Sequence, residues 1–96
     1  PGQGVIPDGM RKLVSFLDEK LQTNTEPQDA ATELRMGLEL GIIPQDVYDD
    51  FVNRPTSEVI QDVSVAASVM QLPSMASPRG INFAQSLLGE LGGHDV

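Results

Sequence analysis

Few residues in this chain could do chemistry, and their spacing suits it poorly. Of the 96 residues one is His, at position 94, and none is Cys. Without Cys there is no disulfide, no thiolate zinc site and no thiol nucleophile, and the redox compartment stays open. A general base must be held within reach of the proton it takes, and His94 lies in a terminal Gly-Gly-His-Asp-Val stretch that reads as a frayed tail. Pro1 would be an amine nucleophile if it is the true N-terminus, but the Gly-containing lead around it offers no pocket. Ser77-Pro78-Arg79-Gly80 stands ahead of a helical pattern and could turn exposed N–H groups toward an anion; with one Arg and one Gly, a plain loop is the simpler reading. The carboxylates gather in two places, Glu26/Asp29/Glu33 on one helical face and Asp46/Asp49/Asp50. Neither group has the D-x-D-x-D-G spacing with which a loop wraps a hard cation, so both read as solvated faces. The expectation is a non-enzymatic protein with no catalytic residue, no metal and no cofactor.

Charge narrows the partners. Fourteen Asp and Glu face six Lys and Arg, a formal net charge of −8. The six cations (Arg11, Lys12, Lys20, Arg35, Arg54, Arg79) are scattered. Duplex binding needs clustered cations that release counterions from phosphate, and an anionic membrane surface needs the same. The balance fits a basic partner. No apolar run approaches the roughly 18 residues of a membrane span. The start, PGQGVIPDG, has neither the basic nor the apolar region of a signal peptide, so a soluble protein is expected, its location unspecified. Because the first residue is Pro, either an initiator Met was removed or the chain is cut from a longer protein.

The elements that must position these residues read as helices. Residues 1–7 are punctuated by Gly2, Gly4 and Pro7 and are expected to be a flexible lead. Asp8 is placed to cap a helix over 9–21, whose Met10, Leu13, Val14, Leu17 and Leu21 recur at helical spacing. Thr25 and Gln28 have the form of a capping box, with Pro27 in the first turn of a helix that should run to Leu40 and stop at Gly41. Within it Leu34, Met36, Leu38, Leu40 and Ile42 alternate strictly with other residues, a strand pattern that Gly37 and Gly41 weaken. Pro44 opens a short helix to about Asn53, with Val47, Tyr48, Phe51 and Val52 inward. Residues 73–82 carry Pro73, Ser74, Ser77, Pro78 and Gly80 and read as loop. Asn82 and Gln85 suggest a capping box for a last helix to Leu91, with 92–96 as a flexible tail.

The longest apolar stretch is 56–72, between Pro55 and Pro73. As a helix it carries Val59, Ile60, Val63, Ala66, Ala67 and Met70 on one face. Its Val and Ile content favours a strand, but seventeen residues without Gly or Pro favour a helix on length. Val65, Val69 and Leu72 fall outside the main stripe and form a second apolar strip. Such a strip is covered either by other helices of the chain or by a partner, because exposed apolar strips are typically interfaces.

Residues 34–51 resemble the DNA-binding helix-turn-helix family: Gly37 lies four residues before the turn glycine Gly41, with Met36, Leu40, Ile42 and Val47 at the apolar positions. The resemblance implies a second helix that enters the major groove. That helix would present Asp46, Asp49 and Asp50 with no Lys or Arg before Arg54, and phosphates would repel it. The acidic helical composition is also similar to that of the acyl carrier proteins, whose Asp-Ser-Leu attachment motif has no counterpart here; Ser86-Leu87 is preceded by Gln85. The sequence therefore predicts one all-α domain over 1–96, a small bundle of four or five short helices around a central helix at about 56–72. Its expected function is protein–protein interaction or assembly, as an adaptor or homo-oligomer, through Val65, Val69 and Leu72. Nucleic acid is the second choice of partner and a membrane is not expected.

Overall fold

The computed structural model describes residues 6–93. They form an all-α bundle of six helices: α1 (Asp8–Gln22), α2 (Pro27–Glu39), α3 (Gln45–Asn53), α4 (Thr56–Val69), α5 (Pro73–Ala76) and α6 (Pro78–Glu90). One core runs through it, built from Leu13, Val14 and Leu17 of α1, Ala30, Ala31 and Leu34 of α2, Val59, Val63 and Ala67 of α4, and Ala84, Leu87 and Leu88 of α6. Helix α4 packs against α1, α5 and α6; α2 docks onto α6, and α3 onto α1. The strand alternatives give way at 34–42 and at 56–72: both stretches enter helices, with Leu34 of the first and Val59, Ile60, Val63, Ala66 and Ala67 of the second buried against helical neighbours.

The helices stop by one shared device. After α1, α2, α4 and α6 the chain turns through a residue of positive φ: Asn24 (57°), Gly41 (78°), Gln71 (60°) and Gly92 (83°). In each case the next amide reaches back five residues, as in Ile42 N to Gly37 O (2.8 Å) and Leu72 N to Ala67 O (2.8 Å). These are Schellman caps, which satisfy carbonyls that a helix end leaves without partners. The cap at Gln71 ends α4 at Val69, short of the expected 72. Pro73 supplies the reason: it has no N–H to donate to Val69, and it drives the residue before it out of the α region, with Leu72 at φ −111° and ψ 75°.

Three expected caps do not form. Asp8 is the first residue of α1, not its cap; Pro7 is the cap, and Asp8 instead faces Lys12 at 3.6 Å. The Thr25/Gln28 box is replaced by Glu26 as N-cap without a side-chain bond, while the Thr25 hydroxyl pairs with that of Thr23 at 2.8 Å. Asn82 is exposed inside α6, because that helix begins four residues earlier than the loop reading placed it. The turn chemistry of 73–82 in fact starts two helices, with Pro73 and Pro78 each in a first turn, where a missing N–H costs nothing. Ser77 caps α6, accepting from Gly80 N at 3.3 Å. Gly80 lets α6 close on α5: a Cβ there would stand 2.4 Å from Met75 O and 2.5 Å from Ser74 O.

Of the expected lead, Ile6 is half-buried and packs on the core. Of the expected tail, Gly92 and Gly93 are bound into the α6 cap, Gly93 N donating to Leu88 O at 2.7 Å. Residues 1–5 and 94–96, and with them Pro1 and His94, lie outside the described residues.

Candidate interaction surface

The two sides of α4 differ sharply. Val59, Ile60, Val63, Ala66 and Ala67 are buried, and Met70 is half-buried beyond them. On the other side Val65 and Val69 are 54% and 41% exposed. Leu72 does not continue this strip along the helix. It follows the αL turn at Gln71 and lies half-buried against the core. Helical spacing cannot be extended through a Schellman turn, so the strip on α4 reduces to Val65 and Val69.

A second apolar patch appears at the end of α2, where Met36, Leu40 and Ile42 are 53%, 72% and 61% exposed. The alternation that resembled a strand was the signal for it. Residues two apart on a helix point about 200° away from each other, and residues four apart about 40°. Alternation on a helix therefore divides its apolar residues between two faces. Leu34 is buried and Leu38 half-buried, whereas Met36 and Leu40 are exposed. Ile43, next to exposed Ile42, is buried and lies 3.2 Å from where a Cβ on Gly37 would stand.

Between the start of α1, α3 and α4 lies a cleft of about 490 Å³. Gly9 brings α1 against α3 here; its Cβ would fall 2.2 Å from a methyl of Val47. At the rim Arg54 donates to Asp62 (2.7 Å), Asp50 (3.2 Å) and Glu58 (3.4 Å). The bond to Asp62, then that to Asp50, holds the guanidinium above its already high ordinary pKa, against a smaller opposing effect of burial. Asp46, Asp49 and Asp50 line the exposed side of α3. The cation at the end of that helix is thus committed to carboxylates of its own chain, and the face that a helix-turn-helix protein would turn to DNA is acidic.

Most other cations are also engaged internally. Lys20 pairs with Glu33 across α1 and α2 and sits 5.3 Å from the Phe16 ring centre. Arg35 donates to the Glu90 carbonyl (3.0 Å), and Arg79 to the Leu21 carbonyl (3.1 Å) and Asn24 Oδ1 (3.2 Å). Each arginine closes the C-terminal end of a neighbouring helix, where the dipole favours a cation. Arg79 therefore turns away from the start of α6, and the amide of Gly80 is already taken by Ser77, so Ser77–Gly80 is a helix cap and not an open anion cradle. In α1, Asp18 is buried; its Oδ2 accepts from Gln22 Nε2 at 2.7 Å, and its Oδ1 has no hydrogen-bond partner among the described residues.

Among the described residues no group of three or more His, Asp or Glu is arranged to hold a metal ion, and no helix is long and apolar enough to cross a membrane. Comparison with protein-family models, with curated proteins and with solved structures gave no match.

Proposed function

We propose that this chain is a non-enzymatic interaction or assembly module that binds a partner protein, or a second copy of itself, through apolar helix faces. Val65 and Val69 form the contact on α4; Leu72, half-buried against the core beyond the helix end, is at most its margin. The observation that carries the reading is the exposure of Val65 and Val69, 54% and 41%, on a helix whose opposite face is buried. Neighbouring helices of this chain do not cover them, and apolar side chains in such patches stabilise complexes when removed from water. The exposed Met36, Leu40 and Ile42 offer a second contact of the same kind.

The test uses Val65→Asp/Val69→Asp. Both positions are exposed, so the variant should keep the wild-type melting temperature to within the effect of ordinary surface changes, about 0.5 kcal/mol each. Light scattering over a range of concentration reports self-association, and crosslinking in the native cell reports a partner. The variant should lose whichever complex the wild type forms. A wild type that is monomeric in both settings, or a variant that keeps every complex, refutes the reading.

A helix-turn-helix regulator using 34–51 ranks second. The α2–turn–α3 hairpin favours it and the acidic side of α3 opposes it. Retention of the chain by duplex DNA at low salt, falling steeply as salt rises, would reverse that order.

A further inference from the structure

We infer that the groove between the start of α1, α3 and α4 docks an amphipathic helix of a partner protein, one that carries Lys or Arg beside its apolar face. This rests on the interaction reading above and specifies the chemistry of the partner.

The groove is longer than one cleft. The hollow of about 490 Å³ beside α3 and a second of about 400 Å³ beside α4 share Met10, Asp50, Arg54 and Asp62 as walls. Val47 lines the first hollow; Ile6 and Val65 line the second. Apolar side chains are thus available at both ends and at the shared wall. An elongated apolar track suits a helix laid along it, whose anchors recur every three or four residues, better than a compact small molecule. The exposed Val65 of the proposed contact forms part of one wall, so the groove and that contact are continuous.

Charge selects the occupant. Among the described residues, Asp46, Asp50 and Asp62 border the track against one cation, Arg54, a local balance of three negative charges to one positive. Of Asp50 and Asp62, Arg54 engages Oδ2 in each, so Oδ1 of each can accept from an incoming cation. A second copy of this chain is a poor occupant. It also carries a net charge of −8, and its Lys20, Arg35, Arg54 and Arg79 already bond within their own fold. A cationic helix from a different protein meets both the apolar floor and the acidic border, and opposite charge across an interface orients and accelerates docking.

The test titrates the isotope-labelled 96-residue chain with a synthetic leucine–lysine amphipathic peptide and, separately, with its leucine–glutamate counterpart, following backbone amides by NMR. The lysine peptide should shift Gly9, Val47, Arg54 and Val65, and its binding should weaken as salt shortens the Debye length from about 10 Å at 0.1 M to about 3 Å at 1 M. Asp50→Asn/Asp62→Asn should weaken it about tenfold. Because that variant also releases Arg54, Asp46→Asn, which lies outside the arginine network, is the second variant, with an expected loss of about threefold. Equal binding of the glutamate peptide overturns the inference, as does failure of the lysine peptide to bind. Shifts centred on Val69 or on Met36 and Leu40, with the groove amides unmoved, overturn the groove but leave the interaction reading standing. That reading fails separately, through the complexes scored with Val65→Asp/Val69→Asp.

Discussion

Gly80→Ala and Gly89→Ala make the same substitution in the same helix, and the fold gives them opposite signs. Helix propensity alone favours Ala over Gly by about 0.8–1.0 kcal/mol at an interior position. At Gly89, the next-to-last residue of α6, a Cβ meets nothing within 4 Å, so part of this gain should appear. At Gly80 the Cβ would stand 2.4 Å from Met75 O, 2.5 Å from Ser74 O and 2.6 Å from Met75 Cα. Real Cβ contacts essentially never fall below 3.0 Å, so α6 must retreat from α5 by at least several tenths of an ångström. The obstructing atoms are backbone and cannot rotate away. Retreat would loosen Met75, which is fully buried between these helices, and would strain the Ser77 cap on the Gly80 amide. Overpacking of this kind costs about 1–3 kcal/mol. Rigid backbone on the far side puts Gly80→Ala at the upper end, a net loss of about 2 kcal/mol once the propensity gain of about 1 kcal/mol is subtracted. For a domain of this size that corresponds to a fall in Tm of roughly 8–16 °C, against a rise of a few degrees for Gly89→Ala. Calorimetry, or urea melts read at constant m-value, measures both. A Gly80→Ala protein that melts at or above wild type would refute the close approach of α5 and α6 and the placement of α6 from Pro78.

Arg54→Gln should leave Asp50, Glu58 and Asp62 facing one another without their cation. Arg54 is about one-third exposed, and screened networks of this kind contribute little, so the loss should be about 1 kcal/mol or less and should shrink as salt is added; a loss that grows with salt would contradict the ion-pair account. The sign of the linkage also follows: the folded-state pKa of Arg54 is raised above its already high unfolded value, so its contribution is complete below that unfolded value and is lost only in strongly alkaline solution, as pH rises through the folded-state value. A melting temperature that changes between wild type and Arg54→Gln by the same amount at pH 6 and at pH 9 is therefore expected, and a difference that vanishes at pH 9 would be inconsistent with it. Gly41→Ala places a side chain at φ +78° with open space around it, so backbone strain alone should destabilise by about 1 kcal/mol, seen as a lower urea midpoint; an unchanged midpoint would rule out the αL cap on α2.

Helical periodicity was sufficient where one face of a segment is buried and the other is wet. The stripes of α1 and α4 were legible for that reason, and the five buried residues of α4 from Val59 to Ala67 are those its spacing selects. The clash of apolar alternation with helix formers in α2 was legible as a conflict, but its resolution needed the neighbours that cover Leu34 and leave Met36 and Leu40 out. The candidate contact was half legible. Val65 and Val69 stand exposed on α4, whereas Leu72 leaves the strip because a Gln, a residue with no marked preference for positive φ, takes the αL turn. No local pattern marks the groove at all, since its walls come from α1, α3 and α4 and are assembled only by packing.

By itself the sequence determined that the chain is mainly helical, that its core is mostly aliphatic, and that its net charge is strongly negative, because composition and period are local properties of the chain. Tertiary structure alone decided three further things. It turned Pro73 and Pro78 from loop residues into helix starts, because Met75 and Gly80 find a close-packed seam between α5 and α6. It directed Arg35 and Arg79, both still exposed, to the ends of other helices far along the chain, and so engaged their guanidinium groups with backbone carbonyls. And it chose which apolar residues stay in water: burial depends on which helices meet, and Val65, Val69, Met36, Leu40 and Ile42 lie where none does.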